Sequence, residues 1–457
     1  MHRDPLSTTQ CQAKAALGYQ PTLGTNFVGL GIANDLYNAG AGGYGGSSAR
    51  IARVNISFDL RLFPGVQIGN AVAVYSSADF SLVDSYVSHK GNCAAQWPHN
   101  CIMHITNATN GEVRGVEFDM GCQASAVQSS SRMFMADNVL RETEVWADVP
   151  STTGGNEFST IDPPHVAEHY YWGNNSYTSN PRSAERWESF TTDGGADSVY
   201  NDTVLSQVAN PDGTATLTLA SPVLLSVFFY RWEPGMAVTV MEGPNVGQQR
   251  RLVSVGGEDN TTMVINAPFD PALTPDDYLS VNGYKGGFIL EGNHYMFGTE
   301  FQVFGGLADT VFSGNTLDSF FPTAKAVPAL PAIGSDGAGA VGGGGMQYAD
   351  SYQQELYNTW EHNVLTCGGS FLISVFNFDY PSDNVPVQRP NATFNFAQVF
   401  RHNVFAAYGS ADWRWTHDHV IEHNVLAGGY CAFISANVSA TPINVSATNV
   451  GVVYRRG

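Results

Sequence analysis

The sequence has little positive charge. Among its 457 residues only four are lysine, and the formal net charge is −20. Because nucleic acids and anionic lipids are bound through clustered lysine and arginine, this composition argues against both partners. No apolar run approaches the roughly 18 residues of a membrane helix, so no membrane insertion is predicted. The first residues also lack the apolar core of a signal peptide.

The cysteines lack a metal-binding or redox pattern. No two of them form a Cys-x-x-Cys pair, which argues against zinc and thioredoxin-type chemistry. They form an even set of six, and we predict a disulfide bond between Cys93 and Cys101. The alternative is that they are buried free thiols, because cysteine often serves as a small core residue. The six are Cys11, Cys93, Cys101, Cys122, Cys367 and Cys431.

A short sequence phrase recurs, mainly in the C-terminal half of the chain. It consists of one or two apolar residues, two polar residues, an asparagine and usually two more apolar residues, as in Val-Phe-Arg-His-Asn403. From Asn293 onward the asparagines are 22, 48, 40 and 21 residues apart. These spacings are close to one or two turns of a coil of about 20 to 25 residues, which indicates a solenoid. The asparagines are Asn138, Asn293, Asn315, Asn363, Asn403 and Asn424.

The residues around the asparagines indicate strands. Segments such as Val420-Ile421 and Phe371-Leu372-Ile373 are short, β-branched or aromatic, and bounded by glycine. Asparagine also tolerates the left-handed conformation of a sharp corner, and its amide can bond the next one at the interstrand distance of about 4.8 Å. We therefore predict an all-β, right-handed parallel β-helix with an asparagine ladder.

The repeat resembles the right-handed parallel β-helix, or pectin-lyase-like, superfamily over about residues 20 to 148 and 284 to 457. The resemblance implies a groove along one sheet face, walled by long loops. The catalytic motifs of polygalacturonases are absent, and the pectate-lyase phrase has only an echo in Trp413-Arg-Trp-Thr-His-Asp-His419. No catalytic residue is carried over from either family.

The middle of the chain follows a different pattern. Segments such as Asp212–Leu219 and Met236–Met241 alternate apolar and polar residues, as antiparallel strands do. We predict an N-terminal segment at 1–20, a first β-helix part at 20–148, a long loop at 149–197, an inserted antiparallel barrel or sandwich at 198–283 and a second β-helix part at 284–457. The last residues resemble a coil that is cut short, so a truncated chain is expected.

The predicted loop contains a dense cluster of reactive side chains. Glycoside hydrolysis needs paired carboxylates, and aromatic rings provide flat faces for sugars. Glu185, Glu188 and Asp193 are the candidate catalytic residues. The alternative is a salt-bridged loop, with the two glutamates paired to arginines. The candidate substrate-binding residues are His165, His169, Arg182, Arg186, Trp187, Trp413 and Trp415.

Histidines precede three ladder asparagines. If His362, His402 and His423 stack, their imidazoles form a column that could bind metal or shuttle protons, whereas the simpler interpretation is a polar filler at an exposed turn. His417, Asp418 and His419 could join such a site. We predict no metal site from this pattern. Aromatic residues near the corners line a sugar-binding face or pack under loops: Tyr408, Tyr430, Trp360, Trp413 and Trp415.

The predicted function is an extracellular or cell-surface protein that engages a polysaccharide or glycan and cleaves it, by hydrolysis or, as the less favoured alternative, by lyase chemistry. A lyase acts on a polyuronate, which the negative net charge would repel unless calcium or the arginines Arg182 and Arg186 intervened. Calcium is therefore the one cofactor that a lyase would call for, and no other cofactor is expected. The alternative is a non-catalytic wall, fibre or adhesion glycoprotein. Its glycosylation acceptors would be Asn55, Asn107, Asn174, Asn201, Asn260, Asn391, Asn437 and Asn444.

Overall fold

The structure is a computed structural model. It describes residues 30–33, 48–59, 72–75, 77–90, 101–106, 108–128, 130–145, 150–151, 168–179, 190–191, 199–224, 226–227, 230–283, 285–296, 301–303, 307–318, 341–343, 355–365, 371–373, 395–405, 411–413, 416–426, 432–435, 444–445, 449 and 453–456.

The described residues are almost entirely β-structure, with one 3₁₀ turn at Glu258–Asn260. Among the described residues there is no helix that is long and apolar enough to cross a membrane. The prediction of an all-β protein is confirmed.

The strands before the barrel are β1 (Leu30–Ala33), β2 (Ala49–Ala52), β3 (Asn55–Asp59), β4 (Val72–Tyr75), β5 (Phe80–Val83), β6 (Tyr86–Lys90), β7 (Cys101–Thr106), β8 (Thr109–Arg114), β9 (Glu117–Gln128), β10 (Ser131–Ala136), β11 (Val139–Val145), β12 (Pro150–Ser151), β13 (Glu168–Gly173), β14 (Ser176–Ser179) and β15 (Phe190–Thr191). The strands of the barrel region are β16 (Tyr200–Ala209), β17 (Ala215–Leu219), β18 (Ser226–Val227), β19 (Tyr230–Arg231), β20 (Ala237–Glu242), β21 (Gln249–Gly256), β22 (Thr262–Ile265) and β23 (Tyr278–Asn282).

The strands after the barrel are β24 (Lys285–Glu291), β25 (His294–Met296), β26 (Phe301–Val303), β27 (Leu307–Ala308), β28 (Val311–Ser313), β29 (Thr316–Asp318), β30 (Val341–Gly343), β31 (Glu355–Leu356), β32 (Thr359–Glu361), β33 (Val364–Leu365), β34 (Phe371–Ile373), β35 (Asn395–Phe396), β36 (Val399–Arg401), β37 (Val404–Phe405), β38 (Ala411–Trp413), β39 (Thr416–His417), β40 (Val420–Glu422), β41 (Val425–Leu426), β42 (Ala432–Ser435), β43 (Asn444–Val445) and β44 (Val453–Arg456).

Most strands belong to parallel sheets stacked in a solenoid-like way. One sheet has 14 strands along the path β1-β4-β7-β9-β11-β14-β25-β29-β33-β37-β41. A second has 15 strands, along β2-β5-β8-β10-β13-β24-β28-β32-β36-β40-β43 with a side row β27-β31-β35-β39. Smaller parallel sheets are β15-β26-β30 and β34-β38-β42-β44. Each turn of the chain therefore adds one strand to each sheet, as β36, β37 and β38 do before β40, β41 and β42.

Large apolar side chains fill the space between the sheets. Strand residues alternate between the two faces of a sheet, so every second residue of a strand points inward. Trp360 is fully buried, with its ring stacked on Phe312 at 3.8 Å and on Phe400 at 6.2 Å. The expectation that Trp360 could line a sugar-binding face is therefore wrong, because its ring is part of this core.

Sharp corners bound the short strands of the 15-stranded sheet. Two residues with positive φ, five positions apart, flank these strands in each of eight turns. The first-corner column contains Asp79, Asn110, Arg132, Gly287, Asp309, Tyr357, Ala397 and Asp418. The second-corner column contains Asp84, Gly115, Asp137, Gly292, Gly314, His362, His402 and His423, together with Asn174. The left-handed residue is thus the one before each ladder asparagine. The assignment of that conformation to the asparagine itself was wrong, because a buried amide pointing inward needs the turn to come one residue earlier.

The six predicted ladder asparagines lie in one buried, hydrogen-bonded column. In each turn the side-chain oxygen accepts the backbone N–H of the column residue one turn earlier, at 2.9 to 3.2 Å. From Asn293 onward the same oxygen also accepts the side-chain Nδ2 of the preceding column asparagine, beginning with that of Asn175, at 2.9 to 3.1 Å. The column also includes Ser85, Asn175 and Asn449.

The chain between the two parts of the solenoid-like region forms a small closed barrel of antiparallel strands, β16-β17-β22-β21-β20-β23. The predicted small antiparallel domain is therefore present, and its strands lie within the predicted segment 198–283. Its own core includes Leu217, Val240 and Leu279. Ala237 of the barrel packs against Leu356 and Phe396 of the side row in the 15-stranded sheet. The barrel therefore covers the side row next to the first corners.

The predicted loop at 149–197 differs from the structure in part. Strands β13 and β14 lie inside this segment and pair in parallel with β10 and β24, and with β11 and β25. They form a complete turn of the solenoid-like region. The segment Tyr170-Tyr-Trp-Gly-Asn-Asn175 carries the same phrase as the other turns, which explains why it folds in this way.

Candidate functional site

The outer face of the short strands β10, β13, β24, β28, β32, β36 and β40 carries two parallel rows of side chains. The apolar row consists of the residues in register with Phe134, all of them apolar or aromatic except Thr359: Phe134, Tyr171, Ile289, Val311, Thr359, Val399 and Val420. The charged row lies two residues further on and includes Glu291, Ser313, Glu361, Arg401 and Glu422. Because parallel strands keep their register, each row runs along the solenoid-like axis.

The first two residues of the apolar row are aromatic. Phe134 and Tyr171 stack with their centroids 5.0 Å apart and an interplanar angle of 11°. Phe134 is 41% exposed, and Ile289 on the next strand is 44% exposed. Exposed apolar side chains in a continuous row are a common mark of a binding surface. Among the described strands of the parallel sheets, Phe134 and Ile289 are the large apolar side chains that are exposed.

The absence of a side chain at Gly173 leaves room for the Tyr171 ring to lie against the sheet. A Cβ atom at Gly173 would lie 2.3 Å from the Tyr171 hydroxyl oxygen, so the ring lies across this residue. The hydroxyl donates to Glu291 Oε2 at 3.4 Å, a long hydrogen bond. Partial burial raises the pKa of Tyr171, and the charge of Glu291 raises it further. The phenol therefore stays protonated and acts as a donor at neutral pH.

The charged row contains an ion pair with a short distance between its atoms. Arg401 donates from Nε and Nη2 to Glu361 Oε2, both at 2.7 Å. Ser313 Oγ lies 3.4 Å from Glu361 Oε1. Since Arg401 is about half exposed, this pair contributes little to stability. Its donors and acceptors are available to a ligand that carries hydroxyl groups.

The three histidines of the second corner form a stack. His362 and His402 have ring centroids 4.8 Å apart and nearly parallel planes, and His402 and His423 repeat this spacing. All three are exposed. Equivalent nitrogens of two such rings are farther apart than the about 4.2 Å that a shared zinc ion would allow. The stack in this geometry is therefore a side-chain ladder at an exposed turn.

Metal ligands do not converge among the described residues, which contain no group of three His, Cys, Asp or Glu side chains able to hold an ion. His419 is fully buried, and its Nδ1 accepts the backbone N–H of Gln398 at 3.3 Å. It faces the interior, whereas His402 and His423 are exposed. The proposed combination of His419 with either of them at one metal site is therefore wrong.

Most of the predicted catalytic cluster lies outside the described residues. This holds for Glu185, Glu188 and Asp193, and also for His165, Arg182, Arg186, Trp187 and Trp415. His169 lies on β13 and Trp413 on β38. The nearest described strands, β14 and β15, belong to the 14-stranded and the three-stranded sheets, whereas the aromatic pair lies on the 15-stranded sheet.

The other predicted modification sites are described only in part. Cys101 is the first residue of β7, and Cys93 lies outside the described residues. The predicted bond between Cys93 and Cys101 therefore stays a prediction. Asn55 and Asn174 are exposed, and Asn201 and Asn260 are partly exposed. Asn444 lies on β43, and the acceptors outside the described residues are Asn107, Asn391 and Asn437.

The aromatic face was not found from the sequence. Phe134 and Tyr171 each stand between two buried, inward side chains, and the small residues Ala136 and Gly173 follow two positions later on the same outer face. The signal was the alternation within Arg132-Met-Phe-Met-Ala and His169-Tyr-Tyr-Trp-Gly. It became readable only when the corner positions fixed which residues point outward.

No protein-family model matches the chain, and no curated protein sequence matches it. Its function is therefore inferred from its own residues.

Proposed function

We propose that this protein is a right-handed parallel β-helix that binds a neutral polysaccharide along the outer face of its 15-stranded sheet. The stacked pair of the exposed Phe134 and the half-buried Tyr171 carries this proposal. Apolar side chains on the outside of a sheet cost solubility, and a continuous row of them is more readily explained by a ligand than by chance.

The two rows suit a sugar chain. Aromatic and aliphatic side chains can cover the C–H faces of sugar rings. The neighbouring row supplies Glu291, Ser313, Glu361 and Arg401, whose donors and acceptors can pair with hydroxyl groups. Both rows repeat at the interstrand distance of about 4.8 Å, so a linear ligand can make similar contacts turn after turn.

The charge of the molecule favours a neutral ligand. With a net charge of −20, the protein repels polyanions such as polyuronates over a distance of about 8 to 10 Å in physiological salt. The charged row itself contains three glutamates and one arginine. A neutral polysaccharide avoids this repulsion and keeps its hydrogen bonds.

Cleavage of the polysaccharide is a separate part of the proposal. It rests on the sequence of the segment with Glu185, Glu188 and Asp193, and on the need of glycosidases for paired carboxylates. Binding without cleavage would make the protein a wall or adhesion protein. Release of reducing ends from the bound polysaccharide distinguishes the two.

The binding proposal is tested with xyloglucan, galactomannan and xylan by affinity electrophoresis and calorimetry. Tyr171→Ala should weaken binding about tenfold, equivalent to about 1.4 kcal/mol, whereas Tyr171→Phe should keep the stacking and lose less. Val208→Ala removes a side chain that is 60% exposed on the barrel and is the matched control. Equal binding by Tyr171→Ala and the parent would refute the proposed face.

A further inference from the structure

Tyr357 occupies a position at which an aromatic residue is unfavourable. It is the first-corner residue between β31 and β32, with φ at 59°, and its side chain is 47% exposed. In the left-handed region the Cβ atom crowds the following carbonyl oxygen, and bulky residues are outliers there. Glycine, aspartate and alanine stand at this corner in neighbouring turns, as Gly287, Asp309 and Ala397.

The surrounding backbone fixes the corner without the help of the ring. Leu356, the preceding residue, is buried against Ala237 of the barrel. Asn358, the next residue, is buried and accepts the backbone N–H of Thr310 at 3.1 Å. The Tyr357 N–H donates to Phe396 O at 3.0 Å. All three contacts would persist with a small residue at 357, so the fold does not require the aromatic ring.

We infer that Tyr357 is a second aromatic contact for an extended neutral glycan, an inference that rests on the proposed binding face. Strain that the fold does not need is most often retained at a binding or catalytic site. Tyr357 is the exposed aromatic residue at this corner, at the edge where the apolar row meets the barrel-covered side row.

The position of Tyr357 sets the size of the ligand. Along the sheet, β10, β13, β24, β28 and β32 are successive neighbours, so Phe134 and Tyr357 belong to turns four strand spacings apart. Four spacings correspond to about 19 Å along the axis. A chain that contacts both aromatic positions must be at least this long. The ligand class is therefore an extended polymer rather than a mono- or disaccharide.

The test uses oligosaccharides of xyloglucan and galactomannan, size-fractionated from disaccharide to decasaccharide, with the 457-residue chain. Tyr357→Asn should weaken binding of the longest oligosaccharides about tenfold and leave binding of the shortest unchanged. The same change should raise the urea midpoint of unfolding, because asparagine tolerates the left-handed conformation. Ala397→Asn, at the same corner in the next turn, should raise the midpoint in the same way without any change in binding.

The outcomes separate the two proposals. If the parent binds no saccharide, the binding face falls, and the role of Tyr357 falls with it. If the parent binds and Tyr357→Asn binds every length equally well, only the role of Tyr357 is refuted. Should Tyr357→Asn fail to fold, Tyr357→Gly, which introduces the residue found at Gly287, takes its place in the same comparison.

Discussion

Replacing Asn363 by leucine tests the hydrogen-bonded asparagine column. Asn363 is buried; its Oδ1 accepts the N–H and the Nδ2 of Asn315 at 3.1 and 3.0 Å, and its own Nδ2 donates to Phe312 O at 2.9 Å. Leucine keeps the branch point at Cγ but has no polar atom, so it removes these three bonds and a fourth, from Nδ2 to Asn403 Oδ1 at 3.1 Å. Since each buried group left unpaired costs about 1 to 3 kcal/mol, Asn363→Leu should lower the free energy of unfolding by about 3 to 5 kcal/mol.

The measurement is urea unfolding followed by circular dichroism, with the slope of the transition checked for equality between the proteins. Asn174→Gly is the matched control, because Asn174 is an exposed asparagine with a left-handed backbone next to the column. Its replacement should change the free energy by less than about 0.5 kcal/mol. A cost for Asn363→Leu as small as that of the control would show that the column adds no stability.

Three further predictions concern titration, catalysis and oxidation. Burial, aided by the charge of Asp202, raises the pKa of Tyr200, so its contribution to stability is full below about pH 10 and is lost as the pH rises above that value; Tyr200→Phe should reduce the loss of stability at alkaline pH, and an unchanged pH profile would contradict this. If the protein hydrolyses the polysaccharide, Glu185→Gln and Glu188→Gln should each lower kcat by about 10²-fold or more with an unchanged melting temperature, whereas full activity in both would make the cluster structural. Non-reducing peptide mapping should recover Cys93 joined to Cys101, whose loop should stabilise the fold by about 2 to 3 kcal/mol; free alkylation of both without reductant would disprove the bond.

The sequence identified the column because its chemistry is strict. A buried amide that must accept and donate along the axis can hardly be replaced, so Asn293, Asn315 and Asn363 stand out as a repeat. Asn175 and Asn449 have the same role and were missed. Asn175 was hidden because 118 residues, including the barrel, separate it from Asn293, and no spacing near one or two turns could link them.

The neighbouring buried column shows why the rest could not be predicted. Its members, Thr310, Asn358, Gln398 and His419, have four different side chains that fill one place in successive turns. Each satisfies the backbone in its own way: Asn358 Oδ1 accepts from Thr310, and His419 Nδ1 accepts from Gln398. A position that accepts any polar side chain of suitable reach leaves no repeat in the sequence, and for this reason the sequence left His419 open as a candidate metal ligand.

The candidate binding face depends on the corners more than on the asparagines. Two left-handed residues five positions apart leave only four residues between them, and alternation then gives two inward and two outward side chains in every turn. The outward pair varies more than the inward pair, because neither the core nor the column uses it, although the two members of a pair must fit each other, as Gly173 does beneath Tyr171. Outward side chains can therefore change from turn to turn, as the replacement of Tyr171 by Ile289 and Val311 along the apolar row shows. A bulky residue at the corner itself has no such freedom, and Tyr357 is for this reason the more telling position.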